Sequence, residues 1–319
     1  MVGTAVTKER IAIVGAGSIG AAFCVLFARA GFTVRLWDVF PDALDRARVD
    51  IAERLELLEL HELLDEIPDV IASRVNYFSD LAAAVEGAAL VQECAPENLE
   101  LKRDLFARIE AAAAADTILA SSSSALTASQ FGANLASRDR VLVGHPGNPP
   151  YLLPVIEVVP SPETSTSAVE TAERLYRAAG LRPVRVRREI EGFVFNRLQG
   201  AVLREAYCLV RDGVATVEDI DAIVRDGLGR RWSIIGPFET SDLNTRGGIE
   251  SHAHKMGPSY ERMGAERGQH DPWTPELVAE VTRQRRGALP LDEWEERVRW
   301  RDEQLMRLVK TSRRVGGTT

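Results

Sequence analysis

His145 and Glu157 are the first candidates for acid–base chemistry. A lone histidine is often structural, but a histidine at a strand end before a stiff loop is a better catalytic candidate. His145 follows the strand-like run Val141–Gly144 and leads into Pro146–Pro150, whose prolines and glycine make a stiff turn. Glu157 lies inside the apolar run Val155–Val159, and a carboxylate in such a place must be paired. An arginine is the plain partner. The alternative partner is the Nδ1 proton of His145, which would set the tautomer of a general base.

Ser124 and Asn196 are the other candidates for contact with a reacting group. Ser124 closes the run Ser121–Ser124, which follows the apolar run Ile118–Ala120. In open α/β sheets, ligands bind at such C-terminal strand ends. A serine-rich turn that caps the next helix is the structural alternative. Asn196 lies in Gly192–Arg197, where the helical half begins, and a helix-packing amide is its structural alternative.

A dinucleotide-binding pattern occupies the first forty residues. The apolar run Ile11–Val14 ends on a glycine-rich turn, and a small-residue helix and a second run, Val34–Trp37, then lead to Asp38. The first glycine permits the tight turn, the second lets the backbone approach a pyrophosphate, and the third lets the helix pack on the strand. The residues predicted to bind the cofactor here are Gly15, Gly17, Ser18, Ile19 and Gly20.

The acid at the end of the second strand favours NAD over NADP. Asp38 can accept hydrogen bonds from both ribose hydroxyls. The next residues, Val39 and Phe40, place no arginine there to hold a 2′-phosphate.

Strand-like and helical runs alternate up to about Val186, which predicts an α/β fold with a Rossmann-like, mainly parallel sheet covered on both faces. The other predicted strands are Val75–Phe78, Ala89–Glu93, Thr117–Ala120, Arg140–Gly144, Val155–Val159 and Arg182–Arg187. The predicted helices between strands are Pro41–Leu64, Asn98–Ala115 and Ser165–Ala179. The later part is predicted all-helical, with helices Val194–Asp212, Thr216–Gly227, Glu239–Met256, Thr274–Arg286 and Leu291–Thr311. We therefore predict an NAD-binding domain over residues 1–189 and a helical substrate and dimerisation domain over 190–319.

The composition of the chain limits the kinds of molecule that it is expected to bind and the compartment in which it is expected to occur. The net charge of −8 argues against nucleic acid, and no apolar run is long enough to span a membrane. Met1–Glu9 has no apolar signal-peptide core, and three widely spaced cysteines suit a reducing compartment, so a cytoplasmic location is expected. The His, Cys and acid spacings predict no metal site.

Together these residues resemble the 3-hydroxyacyl-CoA dehydrogenase superfamily, which has a glycine-motif N-terminal fold and a helical C-terminal domain. The resemblance implies a catalytic set of Ser124, His145, Glu157 and Asn196, with His145 and Asn148 in an H-x-x-N-P motif and Asn196 in G-F-x-x-N-R. It also implies that Ser124, Asn148 and Asn196 face the substrate.

Within the superfamily, the chain is most similar to the branch that contains the lambda-crystallins and L-gulonate 3-dehydrogenases. The similar runs are QECAPENLELK (92–102), NPPYLLPVIEVVPSPET (148–164), GFVFNRLQ (192–199), GLGRRWSIIGPFET (227–240) and WRDEQLMRLVK (300–310). The resemblance implies that Glu97 and Lys102 lie beside the nicotinamide ribose. Gly147 stands where the resemblance leads us to expect a valine, and we expect it to open the substrate pocket.

Four functions remain to be weighed. The first is NAD-dependent oxidation of a small 3-hydroxy acid, with L-gulonate to 3-dehydro-L-gulonate as the best candidate. The second is a 3-hydroxyacyl-CoA dehydrogenase, but Pro41–Ala72 has three basic and ten acidic residues and should repel CoA. The others are a carnitine-type dehydrogenase and a non-enzymatic lens protein, which would not need the complete catalytic set.

Arg231 is the predicted anchor of the substrate carboxylate, because a planar guanidinium matches a carboxylate with two parallel hydrogen bonds. Capping of the preceding helix is the alternative, and Arg230 is the neighbour expected to face solvent. The helical domain carries more apolar surface than it can bury alone, which predicts a homodimer.

Overall fold

The computed structural model describes residues 9–269, 274–298 and 300. The chain forms two compact units that part between Val202 and Leu203. Among the described residues, no helix is both long and apolar enough to cross a membrane.

The first unit is built on an eight-stranded sheet of order β3-β2-β1-β4-β5-β6-β7-β8. Its strands are β1 (Arg10–Val14), β2 (Thr33–Trp37), β3 (Val75–Phe78), β4 (Leu90–Glu93), β5 (Ile118–Ser121), β6 (Val141–Pro146), β7 (Val155–Pro160) and β8 (Arg182–Arg185). Every neighbouring pair is parallel except β6 and β7, which are antiparallel. The predicted mainly parallel sheet is confirmed.

Helices cover both faces of this sheet. They are α1 (Ser18–Arg29), α2 (Pro41–Leu60), α3 (Pro68–Ala72), α4 (Leu81–Val85), α5 (Leu99–Ala112), α6 (Ala128–Gly132) and α7 (Thr166–Ala178). Alternate side chains of a strand point to opposite faces. Accordingly, Ile11 and Ile13 of β1 join the buried cluster around Phe23, whereas Val14 joins the cluster around Phe106.

Three of these helices were not predicted from the sequence. α3, α4 and α6 have five residues each, which is too short for a helical apolar period to be recognised. Local caps stabilise two of them: the Asp80 carboxylate accepts the Ala82 N–H, and Thr127 and Gln130 form a reciprocal capping box.

The second part of the chain is helical, as predicted. Its helices are α8 (Phe195–Arg211), α9 (Val217–Ala222), α10 (Gly229–Trp232), α11 (Pro237–Asn244), α12 (Gly248–Glu266) and α13 (Pro275–Ala288), with a π-helical turn at Ile223–Leu228 and a 3₁₀ turn at Leu291–Glu293. The predicted N-cap of α9 is present, because the Thr216 hydroxyl accepts the Asp219 N–H.

One helix prediction in this part is wrong. The run Glu239–Met256 forms two helices: α11 ends at Asn244, Thr245 is extended, and Gly247 and Gly248 take φ angles of 93° and 77° where α12 begins. The predicted helix Leu291–Thr311 lies largely outside the described residues, and so does most of the run 300–310.

Candidate active site

His145 and Glu157 lie side by side at the edge of the sheet where β6 ends. The short connection between β6 and β7 makes these strands antiparallel, and their register sets His145 directly opposite Glu157. The His145 Nδ1 atom is 2.8 Å from the Glu157 Oε2 atom. The predicted contact is therefore present, and no arginine among the described residues pairs with Glu157.

The Glu157 carboxylate is held by the backbone as well. Its Oε1 atom accepts hydrogen bonds from the Val194 and Phe195 N–H groups at 2.8 and 3.1 Å, where α8 begins. The side chains of His145 and Glu157 are only 7% and 5% exposed, so water competes little for this contact. A carboxylate facing Nδ1 assigns the proton to that nitrogen and leaves Nε2 as the basic one.

Two phenylalanine rings flank the imidazole. The Phe193 and Phe195 centroids lie 5.6 and 6.2 Å from the His145 centroid. Phe193 is fully buried, whereas Phe195 is partly exposed. The rings restrict the imidazole to one orientation.

A buried series of hydrogen bonds holds β6 in place next to His145. The Tyr176 hydroxyl donates to the Gln92 Oε1 atom at 2.6 Å, and the Gln92 Nε2 atom donates to the Gly144 carbonyl at 3.3 Å. Gly144 cannot carry a side chain, since a Cβ there would collide with the Tyr176 hydroxyl. These hydrogen bonds could not be predicted from the sequence, because the three residues are far apart along it and each looks like an ordinary core residue.

Ser124 and Asn196 are neighbours in the structure. The Asn196 Nδ2 atom donates to the Ser124 carbonyl oxygen at 3.3 Å. Ser124 is exposed, as is Asn148, three residues beyond His145. The structure thus brings Ser124 and Asn196 together by a backbone contact.

The expected opening of the pocket by Gly147 is not found. A Cβ at Gly147 would lie 3.0 Å from a Val155 methyl carbon and 3.1 Å from the Leu153 Cβ. The space beside this glycine is therefore filled by the connection to β7.

The glycine turn has the geometry that a pyrophosphate needs. Gly15 has a φ of 111°, and a Cβ there would lie 2.9 Å from the Cys94 carbonyl carbon. A Cβ on Gly20 would collide with the Gly15 carbonyl, whereas a Cβ on Gly17 would meet nothing within 4 Å. The open space in front of Gly17 is where a phosphate can approach the backbone and the N-terminus of α1.

Asp38 lies in the cavity that begins at this turn. Its Oδ2 atom accepts the Ala16 N–H at 2.8 Å and its Oδ1 atom accepts the Phe40 N–H at 2.9 Å, which fixes the carboxylate. The cavity measures about 900 Å³. Its lining also includes Arg46 and Arg108, so the prediction that no arginine stands near Asp38 is correct only for the two residues that follow it.

Glu97 caps the loop that carries Ser124. Its Oε1 atom accepts the Ser123 hydroxyl at 2.5 Å and the Ala125 and Leu126 N–H groups at 3.0 Å each. Partial burial raises the pKa of Glu97, but these hydrogen bonds and the nearby Lys102 charge outweigh it and hold the pKa below its usual value.

Lys102 is fully buried, and its ammonium is already bound. The Nζ atom lies 2.8 Å from both oxygens of Glu93 and 4.0 Å from the Glu97 Oε2 atom. Glu93 also accepts the Ser121 hydroxyl and the Ala95 N–H. Lys102 therefore orients the carboxylates of Glu93 and Glu97 from the interior of the protein. Its side chain has no exposed surface that a ribose could contact.

Arg231 lies in the helical unit and lines a cavity of about 530 Å³ there, with Trp232, Phe238 and Tyr260 among its walls. The Arg231 Nε atom is buried and has no hydrogen-bond partner among the described residues. Arg230 is more than a third exposed and lies 3.8 Å from Asp226.

Comparisons with known proteins give the family. The family model of the 3-hydroxyacyl-CoA dehydrogenase NAD-binding domain matches residues 10–190, and the model of the C-terminal domain matches residues 192–287. The chain belongs to the 3-hydroxyacyl-CoA dehydrogenase family. It is an NAD-dependent oxidoreductase of that family, in which NAD supplies the hydride acceptor. The residues around the glycine turn fit this cofactor, because they offer an open Gly17, an α1 N-terminus that no described side chain caps and the fixed Asp38 carboxylate.

Within the family, relatives of more than one function are similar to this chain. A lambda-crystallin homolog of Bos taurus is 46% identical over 79% of the chain and 79% of the relative. An L-carnitine dehydrogenase of Streptomyces griseus is 42% identical over 79% of the chain and 74% of the relative. The crystal structure of 5-formyl-3-hydroxy-2-methylpyridine 4-carboxylic acid 5-dehydrogenase, an NAD⁺-dependent dismutase, is 29% identical with a TM-score of 0.72 and covers 98% of the chain and all of the other protein.

Proposed function

We propose that this protein oxidises the C3 hydroxyl of a small anionic 3-hydroxy acid, with L-gulonate to 3-dehydro-L-gulonate as the leading reaction. His145 Nε2 takes the hydroxyl proton while the hydride on C3 leaves for NAD, so that the products are a ketone, NADH and a proton. Ser124 and Asn196 hydrogen-bond the reacting oxygen. Glu157 stabilises the imidazolium that forms.

The observation that carries this proposal is the contact between His145 and Glu157, with the second Glu157 oxygen bound to two backbone N–H groups. A histidine held in one tautomer and one orientation suits a base that must take a proton along a fixed line. All four residues of the proposed catalytic set are present in the sequence, and a purely structural protein would not need them.

The charge of α2 and α3 supports a small substrate rather than a CoA thioester. The segment 41–72 carries ten acidic residues, and all except Asp50 are exposed. A CoA moiety carries several phosphate charges, which this surface would repel.

L-Carnitine is the second candidate. It is favoured by the similarity to the Streptomyces griseus L-carnitine dehydrogenase and by Phe195, a partly exposed ring beside His145 that could pack against a trimethylammonium group.

The deciding experiment is a substrate panel read out as NADH formation. It compares L-gulonate, L-carnitine, 3-hydroxybutyrate and 3-hydroxybutyryl-CoA under the same conditions. The proposal requires the highest kcat/KM for L-gulonate or 3-hydroxybutyrate, the two hydroxy acids of the panel that carry a net negative charge. A preference for the CoA thioester would overturn it, and a preference for L-carnitine would move the assignment to the second candidate.

Arg231 is proposed as the carboxylate anchor, supported by its unpartnered Nε atom. Arg231→Lys keeps the charge but loses the planar fork, so the KM for the acid should rise about tenfold while the KM for NAD stays the same. Arg230→Lys is the matched control. An unchanged KM for the acid in Arg231→Lys would leave only the helix-capping role.

The protein is further proposed to act as a homodimer in a reducing, cytoplasmic compartment. Cys24, Cys94 and Cys208 are all free, and burial raises the pKa of the Cys24 and Cys94 thiols, which keeps them unreactive.

A further inference from the structure

Arg54 of α2 is bound to the first residue of α1. Its Nη1 atom donates to the Ser18 carbonyl at 3.1 Å and its Nη2 atom donates to the Ser18 hydroxyl at 3.0 Å. Its Nε atom donates to the Asp50 carboxylate at 2.7 Å. The Arg54 side chain is 17% exposed, so a three-point contact holds the guanidinium in place.

The position of the Arg54 charge matters because the glycine turn itself has no basic side chain. Residues 15–20 contain no lysine or arginine, yet a pyrophosphate brings two negative charges to the N-terminus of α1. Asp50, which lines the cofactor cavity, adds a carboxylate on the same side. Without a partner, that carboxylate would repel the pyrophosphate.

Arg54 also lies near the segment that follows His145. Its guanidinium carbon is 5.9 Å from the centroid of the Tyr151 ring, in the connection between β6 and β7. Arg54 therefore stands between the glycine turn and the connection that includes Asn148.

We infer that Arg54 is a cofactor-positioning residue: it fixes Ser18 at the start of α1, neutralises Asp50 and adds positive charge behind the glycine turn, in addition to Arg46 and Arg108 of the cavity lining. This role concerns the pyrophosphate of NAD and is independent of which hydroxy acid is the substrate.

The test is the binding of cofactor fragments, measured without turnover. ADP-ribose contains the pyrophosphate and is titrated by calorimetry, whereas adenosine lacks it and is followed by ligand-observed NMR. Arg54→Ala should weaken ADP-ribose about tenfold at low salt and leave adenosine unchanged, the size expected for one partly buried charge at a helix N-terminus. Arg54→Lys, which keeps the charge, should retain most of the affinity.

A double substitution separates the effect of the Arg54 charge on ADP-ribose binding from the effect of losing its side chain. Asp50→Asn combined with Arg54→Ala removes both charges and should regain much of the lost ADP-ribose affinity. Arg48→Ala is the matched control on α2, because the Arg48 guanidinium lies over the Tyr77 ring, 4.1 Å from its centroid. The inference is overturned if Arg54→Ala binds ADP-ribose as tightly as the parent protein, or if adenosine weakens equally, since the second result would mean a general distortion of the turn.

Discussion

At the scale of single residues, His145 and Asp38 are each held in one orientation by hydrogen bonds to neighbouring groups. One nitrogen of His145 is bound to Glu157, and the two Asp38 oxygens accept the N–H groups of Ala16 in the glycine turn and of Phe40, two residues further along the chain. Such second contacts keep a side chain in one rotamer, which a functional group needs before its ligand arrives.

Asp38 should set the choice between the two nicotinamide cofactors. Asp38→Ala removes the acceptor for the ribose hydroxyls and also a charge that repels a 2′-phosphate. The Kd for NAD should therefore rise much more than the Kd for NADP, as measured by quenching of tryptophan fluorescence. If the unaltered protein already uses NADP as efficiently as NAD, Asp38 does not face the adenosine ribose, and Arg46 or Arg108 determines the choice instead.

At the scale of elements, the strands were predictable and the connections were not. Both ends of β3 were predicted to the residue, and the ends of the other strands differ from the prediction by at most two residues, because apolar runs between turn residues identify buried strands well. The antiparallel pairing of β6 and β7 follows from the short connection between them, and with it the contact of His145 with Glu157. The backbone partners of Glu157 and the buried pair Lys102 and Glu93 depend on the path of the folded chain, which leaves no signal in residue type or spacing.

The loop that carries Ser124 should depend on the ionisation of Glu97. Because the pKa of Glu97 is lower in the folded protein than in the unfolded chain, its contribution to stability is present at neutral pH and is lost as the pH falls through the acid range. Glu97→Gln should therefore lower the Tm at pH 7, and the difference from the parent protein should shrink towards pH 3.

Thermal unfolding followed by circular dichroism across this pH range checks the expectation. Glu100→Gln, which alters an exposed carboxylate on α5, is the control. If Glu97→Gln lowered the Tm equally at pH 7 and at pH 3, the effect would come from the packing of the side chain and not from its charge.

At the scale of the whole molecule, α8 is a helix whose apolar side chains are left incompletely buried. Five of its large apolar side chains are between 37% and 76% exposed: Leu198, Val202, Leu203, Tyr207 and Val210. A surface of this kind on a single helix is typical of an interface between subunits.

The proposed dimer should therefore depend on α8. Light scattering should give a mass near twice 35.1 kDa, and Tyr207→Glu with Leu203→Glu should reduce it to that of one chain. Glu218→Lys, on α9, is a control that changes a charge without adding one to the apolar surface of α8. A mass of one chain for the parent protein at micromolar concentration would contradict the proposal.

The most direct test of the central claim is the turnover of His145→Ala together with its affinity for NAD. If His145 is the general base, kcat with the best hydroxy acid from the panel should fall by about 10²–10⁴-fold, since that is the usual contribution of one acid–base group. The Kd for NAD should stay within about twofold of the parent value, because the cofactor cavity does not include His145. A variant that turns over at a rate near that of the parent protein would remove His145 from the mechanism and contradict the account.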